Sequence, residues 1–556
     1  MATAPAPTLL GSTTAGPMKW WGWGDPGHTP TVTEHALEFL QAELGDLGEP
    51  RPPVALEDVA LPESALPAAA RDALVRAVGS DGVRDDREAR VSHGRGCSYF
   101  ELVKVRWGKL DAAPDAVVYP ETPEQVAAVI DACAEHDVAI VPFGGGTSVV
   151  GGVEPLRGEH SAVISLALER LASVVALDEQ SRTATLQGGL RVATAETTLN
   201  ASGYTIGHFP QSYEFVTVGG CVVTRSAGVQ STGYGRMDDL VVGLRCQTPI
   251  GELVVSPTIP HSAAGPELRQ LVAGSEGTLG VLTEATIRVR PRPEVRRWEA
   301  FMFRDFQGGT EALRELVQSR TAPDVSRLSD EEETRLSLAQ AGESTGKKVL
   351  EGYLRLRRYA GGCLGVFAWE GRSSDVAARR ARAVRVIKRH GGIALGAAPA
   401  EAWAEARFVT PYLRDDLLTR GVLAETLETV TTWSRLHELH DAVANALRTS
   451  LSDQGTPPIV GCHVSHLYPS GASLYFTVLA RQKRGEEIEQ WTAAKKAAGD
   501  AISAHHGSIT HHHAIGVDHR PWLEREDSPV GIAMIRAAKN ELDPKGIMNP
   551  GKLLPG

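Results

Sequence analysis

Six of the eighteen histidines fall within fifteen residues, at positions 505, 506, 511, 512, 513 and 519. An imidazole titrates near pH 6.5, so such a cluster can shuttle protons or, when neutral, ligate a metal. In an extended segment His511 and His513 would share one face and His512 the other. No cysteine lies nearby and Asp518 is the one carboxylate inside the segment, so proton handling is the stronger reading and no metal is expected. Far upstream, Val141-Pro142-Phe143-Gly144-Gly145-Gly146-Thr147-Ser148 has the composition of a phosphate-cradling loop. Consecutive glycines let backbone N–H groups converge on an anion, and Thr147 and Ser148 add hydroxyl donors. Two more side chains, Tyr475 and Arg414, read from the residues alone as an aromatic on a sheet and a surface ion pair, and would need particular surroundings to do chemistry. Tyr475 sits in an alternating stretch in which Ser473, Tyr475 and Thr477 interleave with Leu474, Phe476 and Val478. A phenol titrates near 10, so it needs a cationic neighbour, such as Arg414 or the histidine run, to act as a base. The planar guanidinium of Arg414 suits a carboxylate or phosphate, although a surface ion pair with Asp415 or Asp416 is the ordinary reading of such an arginine.

The elements that must position these groups can be read from pattern. A chain of 556 residues is too long for one core, so two or three domains are expected, with volume to bury a cofactor. The net charge of -11 argues against nucleic acid as partner. Basic clusters at 355–358 and 379–382 read as solvated surface. The six cysteines, at 97, 133, 221, 246, 363 and 462, form no CxxC pair and suggest neither disulfides nor zinc. Residues 1–17 read as a flexible leader rather than a signal, and no apolar run approaches the ~20 residues of a membrane span. The last three residues are not a peroxisomal address, so a cytoplasmic location is the default.

The tryptophan knot Lys19-Trp20-Trp21-Gly22-Trp23-Gly24 reads as an anchor that folds an N-terminal arm onto the body. Proline-broken helical stretches follow to residue 112. Ala116-Val117-Val118-Tyr119 is strand-like, Thr122-Pro123-Glu124-Gln125 offers an N-cap, a proline at N1 and a capping-box glutamine, and Val138–Val141 is a second strand. The glycine loop thus ends a βαβ unit. It lacks the G-x-G-x-x-G of a dinucleotide-binding helix start and the G-K-[ST] of a Walker loop. In the C-terminal half, Cys363–Trp369 reads as a strand and 374–390 as a helix, suggesting an antiparallel sheet with helices on one face.

Further segments place the loop in a context. Gln211-Ser212-Tyr213-Glu214-Phe215-Val216-Thr217-Val218-Gly219-Gly220 is followed by Thr224-Arg225-Ser226-Ala227-Gly228 and by Gly274-Ser275-Glu276-Gly277-Thr278-Leu279-Gly280-Val281-Leu282. With Pro142 to Ser148, these resemble in order and spacing the FAD-binding domain of the vanillyl-alcohol-oxidase and para-cresol-methylhydroxylase superfamily. The resemblance implies an α+β fold with a two-subdomain FAD module at 113–292. A helical arm at 1–112 would precede it, and an α+β cap at 293–556 would end in a helical return to the module. It implies FAD contacts from Pro142, Phe143, Gly144, Gly145, Gly146, Thr147 and Ser148, from Gln211, Ser212, Glu214, Thr217, Gly219 and Gly220, from Thr224, Ser226 and Ala227, and from Glu276, Gly277, Thr278, Gly280, Val281 and Leu282. Members that tether FAD through a loop histidine carry one near the glycine run; Pro142 to Gly152 holds none, so the flavin is expected to be non-covalent.

Within that superfamily the opening tryptophan knot, Gly207-His208-Phe209-Pro210, Tyr412-Leu413-Arg414-Asp415, Gly471-Ala472-Ser473-Leu474-Tyr475-Phe476 and His511-His512-His513 are similar to the alkyldihydroxyacetonephosphate synthase family over about residues 18–550. Enzymes of that family make the ether bond of ether lipids without net redox: flavin N5 displaces the fatty acid of acyl-dihydroxyacetone phosphate, and a fatty alcohol then replaces the flavin. The resemblance implies Tyr475 as catalytic tyrosine, Arg414 at the departing group and Arg327 supporting the site. It implies His511, His512 and His513 at the phosphate and the alcohol proton, and His208 near the flavin. It also implies lipid substrates, a homodimer and work near membranes. The chain departs from the family at Ala514-Ile515-Gly516-Val517, where synthases carry Gly-Val-Gly-Lys, and at Gln211, where they carry aspartate. Its ending, Leu542 to Lys552, is nearer to FAD-linked oxidases of 2-hydroxy acids such as D-lactate and glycolate. That chemistry is the alternative.

Overall fold

The computed structural model describes residues 16–340 and 345–554, so the leader reading of residues 1–17 falls almost wholly outside them. The βαβ unit forms as strand Ala116–Val118, helix Pro123–Glu135 and strand Val138–Phe143. The Thr122 hydroxyl caps the helix by accepting from the Gln125 N–H at 3.3 Å. The Gln125 side chain accepts from Glu121 rather than Thr122, so the expected capping box is displaced by one residue. Val126, Val129, Ile130 and Cys133 are buried on the helix face that meets the sheet. Each contributes about 1.5–3 kcal/mol by leaving water.

Strand Val138–Phe143 runs parallel to Ala162–Ala167, which runs parallel to Ala116–Val118; Val83–Arg84 closes the far edge antiparallel. The nearly unbroken burial of these strands suits parallel strands covered on both faces. A second sheet of five antiparallel strands follows, in the order Val174–Asp178, Thr183–Gln187, Val281–Arg288, Val241–Thr248 and Gly251–Val255. Val281, at the head of its strand, packs into the core of the first sheet and ties the two together.

The C-terminal half holds seven antiparallel strands in the order Ile393–Gly396, Val295–Phe303, Cys363–Gly371, Val325–Ser329, Ile459–Tyr468, Gly471–Arg481 and Val422–Thr432. Helices Phe306–Gln318, Ser373–Arg389 and Leu436–Asp453 cover one face, and Glu487–Ala504 packs on the last of them. The α+β expectation holds, as do the strand at 363 and the helix at 374. The basic cluster at 379–382 differs from its reading as solvated surface: Arg379 pairs with Asp324, just before strand Val325–Ser329, and Arg380 with Glu299 on strand Val295–Phe303.

The stretch before residue 113 is shared between both halves. Helix Glu34–Leu44 sends Leu40 and Leu44 into a cluster with Leu336, Val422, Ala424 and Leu479 of the C-terminal sheet, whereas helix Ala68–Val78 packs on helix Pro123–Glu135. The tryptophan knot is clasped between them. Arg95 donates to the carbonyls of Lys19, Trp20 and Gly22, and Asp415 accepts from Lys19 at 3.3 Å and from the Trp23 N–H at 3.1 Å. After helix Pro529–Leu542 the tail returns to the first sheet. The Ile140 N–H donates to Ile547 and the Asn549 N–H to Ile140. The Asn549 amide donates to the carbonyls of Glu276 and Gly152, and Lys552 to that of Glu154. Among the described residues no helix is long and apolar enough to cross a membrane.

Candidate active site

A cavity of about 920 Å³ opens between the glycine loops and the other face of the seven-stranded sheet, on which helices Glu331–Gln340, Ala398–Ala406 and Thr410–Thr419 also pack. That is near the top of the ~300–1,000 Å³ common for ligand sites, as a cofactor with a substrate requires. One wall carries Pro142, Gly144 to Ser148, Gln211, Ser212, Thr217, Gly219, Gly220, Thr224, Ser226, Ala227, Glu276, Gly277, Gly280 and Leu282. The other carries Arg327, Arg414, Tyr475, His512 and His513. Six candidate residues stand behind the lining. Phe143 packs against His93, Val281 is core, Thr278 caps its own turn on the Ser275 carbonyl, and Glu214 accepts from the Tyr412 hydroxyl at 2.6 Å. His208 is fully buried with Nε2 at 3.1 Å from the Ser226 hydroxyl, so it reaches the cavity only through that serine. His511 is held away by Tyr468.

The first wall fits a dinucleotide pyrophosphate. Among the described residues, the N–H groups of Gly145, Gly146, Thr147 and Ser148 donate to no protein acceptor, so they are available to an anion. Nothing larger than glycine fits beneath. A Cβ on Gly145 would lie 1.9 Å from the Phe215 carbonyl oxygen, and one on Gly144 2.4 Å from the Thr217 hydroxyl. Gly219 and Gly220 open the short helix Val218–Val223, which Thr217 caps by accepting from the Gly220 N–H. Glu276 crosses to the other wall. Its carboxylate accepts the N–H groups of Ile515 and Gly516 at 2.8 and 2.7 Å, and burial pushes its pKa up to about 7 despite them.

The second wall centres on one row of the sheet. Tyr475 pairs in register with His463 on one side and Glu428 on the other. Its ring stacks on His463 at 4.8 Å and its hydroxyl donates to Thr426 at 3.0 Å. The alternation read at 473–478 is observed, with Tyr475 and Thr477 facing the cavity and Leu474, Phe476 and Val478 in the core. The expected cationic field is reversed. Burial pushes the phenol up to about 12, and Glu425 and Glu428 add to that more than Arg327 offsets. Arg414 cannot lower it because it is paired with Glu425 at 2.7 Å and donates to the Cys97 carbonyl at 2.8 Å. Its partner is therefore neither Asp415 nor Asp416, which serve the tryptophan knot and the Val32 N–H. Arg327 is likewise engaged, at 3.1 Å from Glu333 and 3.0 Å from His463 Nε2. Burial would raise Glu333, but the charges of Arg327 and His463 hold it at about 2.

The histidine run is bent rather than extended, and its cause is Glu428. That buried carboxylate accepts the N–H groups of His511, His512 and His513 at 2.6, 3.1 and 3.0 Å and the Thr510 hydroxyl at 2.6 Å. Three consecutive amides can converge on one carboxylate only if the backbone curls. His512 and His513 therefore both reach the cavity while His511 turns to Tyr468 at 2.6 Å, which is the opposite of the pairing that an extended strand dictates. Burial would raise Glu428, but His513, Thr510 and those amides outweigh it and keep its pKa low. Burial drives His511 and His512 well below the ordinary imidazole range, and His513 below it. In all three, burial favours the neutral imidazole. Ring nitrogens of His466, His511 and His512 lie within 4.8 Å of one another, a spacing a metal could use. The His511 nitrogens, however, already face the Tyr468 hydroxyl and, at 2.9 Å, His512 Nδ1.

Sequence reasoning missed Glu428, Glu425, Glu333, His463 and His466. His463 and His466 stand three apart, which on a regular strand means opposite faces. A bulge between Val464 and Leu467 inserts one residue and turns both toward the cavity. Val32, Ala36 and Phe39 from the N-terminal arm and Leu417, Ala424 and Leu479 from the C-terminal half complete an apolar lining.

The geometry agrees with what this chain is similar to. Residues 114–256 match the family described as "FAD binding domain", and residues 292–553 that described as "FAD linked oxidases, C-terminal domain". The alkyldihydroxyacetonephosphate synthase of Dictyostelium discoideum is 33% identical over 97% of this chain and 93% of its own length. That of Trypanosoma brucei brucei is 32% identical over 97% and 92%. A solved alkyldihydroxyacetonephosphate synthase superposes with a TM-score of 0.84 at 30% identity, covering 96% of this chain and 99% of that one. FAD is thus the cofactor of this enzyme, and the chain belongs to the alkyldihydroxyacetonephosphate synthase family.

Proposed function

We propose that the protein exchanges the acyl group of an acyl-dihydroxyacetone phosphate for a fatty alcohol, forming an ether-linked product without net oxidation. The observation that carries this reading is the meeting of Tyr475, His512, His513 and Arg414 in one cavity with the flavin loops and an apolar lining. Bound FAD supplies the nucleophilic centre through which the oxygen substituents at C1 exchange. The protein supplies proton handling and orientation. His512 and His513, as neutral imidazoles, accept protons, one from the carbon alpha to the ketone, returned to that carbon once the alcohol has added, and one from the alcohol, which leaves with the fatty acid. Glu428, 3.6 and 3.9 Å from their Nδ1 atoms, supports the imidazolium that forms. Tyr475, protonated up to about pH 12, enters the reaction as an O–H and donates to the departing carboxylate. Arg414 meets that carboxylate through Nε, which is buried without a protein partner. The arm and the C-terminal half hold the alkyl chain away from water.

The test is anaerobic incubation of the yellow protein with palmitoyl-dihydroxyacetone phosphate and labelled hexadecanol while the flavin band is followed. Labelled ether with an unbleached flavin, lost by about a hundredfold or more in Tyr475→Phe, is expected, since acid–base groups contribute about 10²–10⁴. The match to the family described as "FAD linked oxidases, C-terminal domain" keeps a second reading, oxidation of a 2-hydroxy acid. Bleaching by D-lactate or glycolate with no ether product would select it.

A further inference from the structure

Burial disfavours charge on the histidines, Arg327 is paired with Glu333, and Arg414 is paired with Glu425 and keeps only its Nε unpartnered, so the cations expected at the site leave little for a phosphate. One arginine on the same wall leaves more. Arg407 follows helix Ala398–Ala406, is 5% exposed and lines the cavity, and its Nε and Nη1 have no hydrogen-bond partner. Its guanidinium sits 4.5 Å from the Phe408 ring centre, 5.7 Å from that of Trp403 and 5.9 Å from that of Trp298. Ring faces attract a cation but take none of its in-plane N–H groups. The carboxylate whose field reaches it, Glu370, is held by Arg296 at 2.7 Å and by the Tyr234 hydroxyl at 2.7 Å. Arg296 adds a second positive charge. Arg327 lies 5.1 Å from the same Trp403 ring, so one indole separates Arg407 from the Arg327–His463–Tyr475 row.

We propose that Arg407 is the anion anchor of the cavity, taking an oxyanion of the substrate, phosphate or carboxylate, on the guanidinium edge that no protein group engages. This deepens the ether-forming reading and rests on its substrate carrying such groups. A planar fork of donors matches either oxyanion in a way that a lone ammonium cannot. Burial beside Arg296 pulls the guanidinium down to about 9, and a bound oxyanion reverses that pull.

The experiment is calorimetric titration of the flavin-loaded protein with inorganic phosphate and, separately, with octanoate, comparing wild type with Arg407→Met and Arg407→Lys. Affinity for one of the anions is expected to fall at least tenfold in Arg407→Met and less in Arg407→Lys, with flavin content unchanged. The anion that weakens names the group bound. Unchanged affinity for both anions, or a wild type that binds neither, overturns the proposal. If Arg407→Met loses its flavin, Arg407→Lys decides by the same titration. Anion binding that depends on Arg407 in a protein that makes no ether product would sink the proposed function and leave the anchor standing. Ether synthesis with an unchanged KM and unchanged anion affinities in Arg407→Met would do the reverse.

Discussion

The two walls of the cavity are built on opposite principles. The flavin wall works through what its residues lack: three glycines, with unclaimed amides from Gly145 onward, shape a surface on which a methyl group has no room. The C-terminal wall works through what its residues carry: a tyrosine, histidines, arginines and glutamates drawn from four strands, two helices and the histidine loop, nearly every one matched to a partner of opposite character. The first is specified by volume and the second by charge. Substitutions should therefore separate the two cleanly, one class removing the cofactor and the other leaving a yellow but idle protein.

Gly145→Ala tests the first principle most severely. Its new Cβ meets a backbone carbonyl at 1.9 Å, which cannot step aside as a side chain would. Overpacking of this kind costs about 1–3 kcal/mol or more. Flavin content, read from the ratio of visible to ultraviolet absorbance, should drop below about a tenth of wild type. A variant that stays fully yellow would break the contrast. Glu428→Gln tests the second. The amide keeps the shape but turns an NH₂ toward N–H groups and removes the charge that supports an imidazolium, so a stability cost of about 1–3 kcal/mol is expected. Turnover should fall by about tenfold to a hundredfold, with the flavin retained.

A third test concerns the boundary between the walls, where His208 is kept neutral by burial that drags its pKa to about 3. An unfolded histidine takes up its proton near pH 6.5. Between about 6.5 and 3 the unfolded chain therefore binds one more proton than the folded one at this position, and stability falls as the pH falls, by about 1.4 kcal/mol per unit. Above 6.5 there is no such dependence. Denaturant melts at pH 7, 6 and 5 should show a slope that His208→Phe lowers by about that amount; an unchanged slope would mean that His208 is accessible to protons. The smallest effect belongs to the exposed pair of Arg335 with Glu43, which links the arm to the C-terminal half at 2.8 Å. Arg335→Ala should cost less than about 1 kcal/mol and leave activity intact.

The same contrast explains what could be read in advance. Glycines at 144–146, 219–220, 277 and 280 lie close in sequence to what they shape, so the flavin wall was legible from short motifs, as were the βαβ unit and the alternation around Tyr475. The charge pattern was not. Glu333, Glu428 and His463 lie 130 and 35 residues apart and become neighbours only through strand order in a mixed-connectivity sheet. The shape of the histidine run depended on a carboxylate eighty residues upstream, and the facing of His466 on a bulge that no periodicity announces. Arg407 gave no signal at all in sequence, because an arginine after a helix is ordinarily a solvated one.

The tail's grip on the flavin loops has a consequence for how the protein comes into being. All the glycine motifs are translated by residue 282, yet their braces, Asn549 on Glu276 and Gly152 and Lys552 on Glu154, follow only after the whole seven-stranded sheet has been made. Synthesis proceeds at about 5–20 residues per second, so the first half waits on the order of ten seconds or more with its cofactor cradle unbraced. A chain cut before Asn549 would keep its glycine loops without these braces, and is expected to hold flavin more weakly.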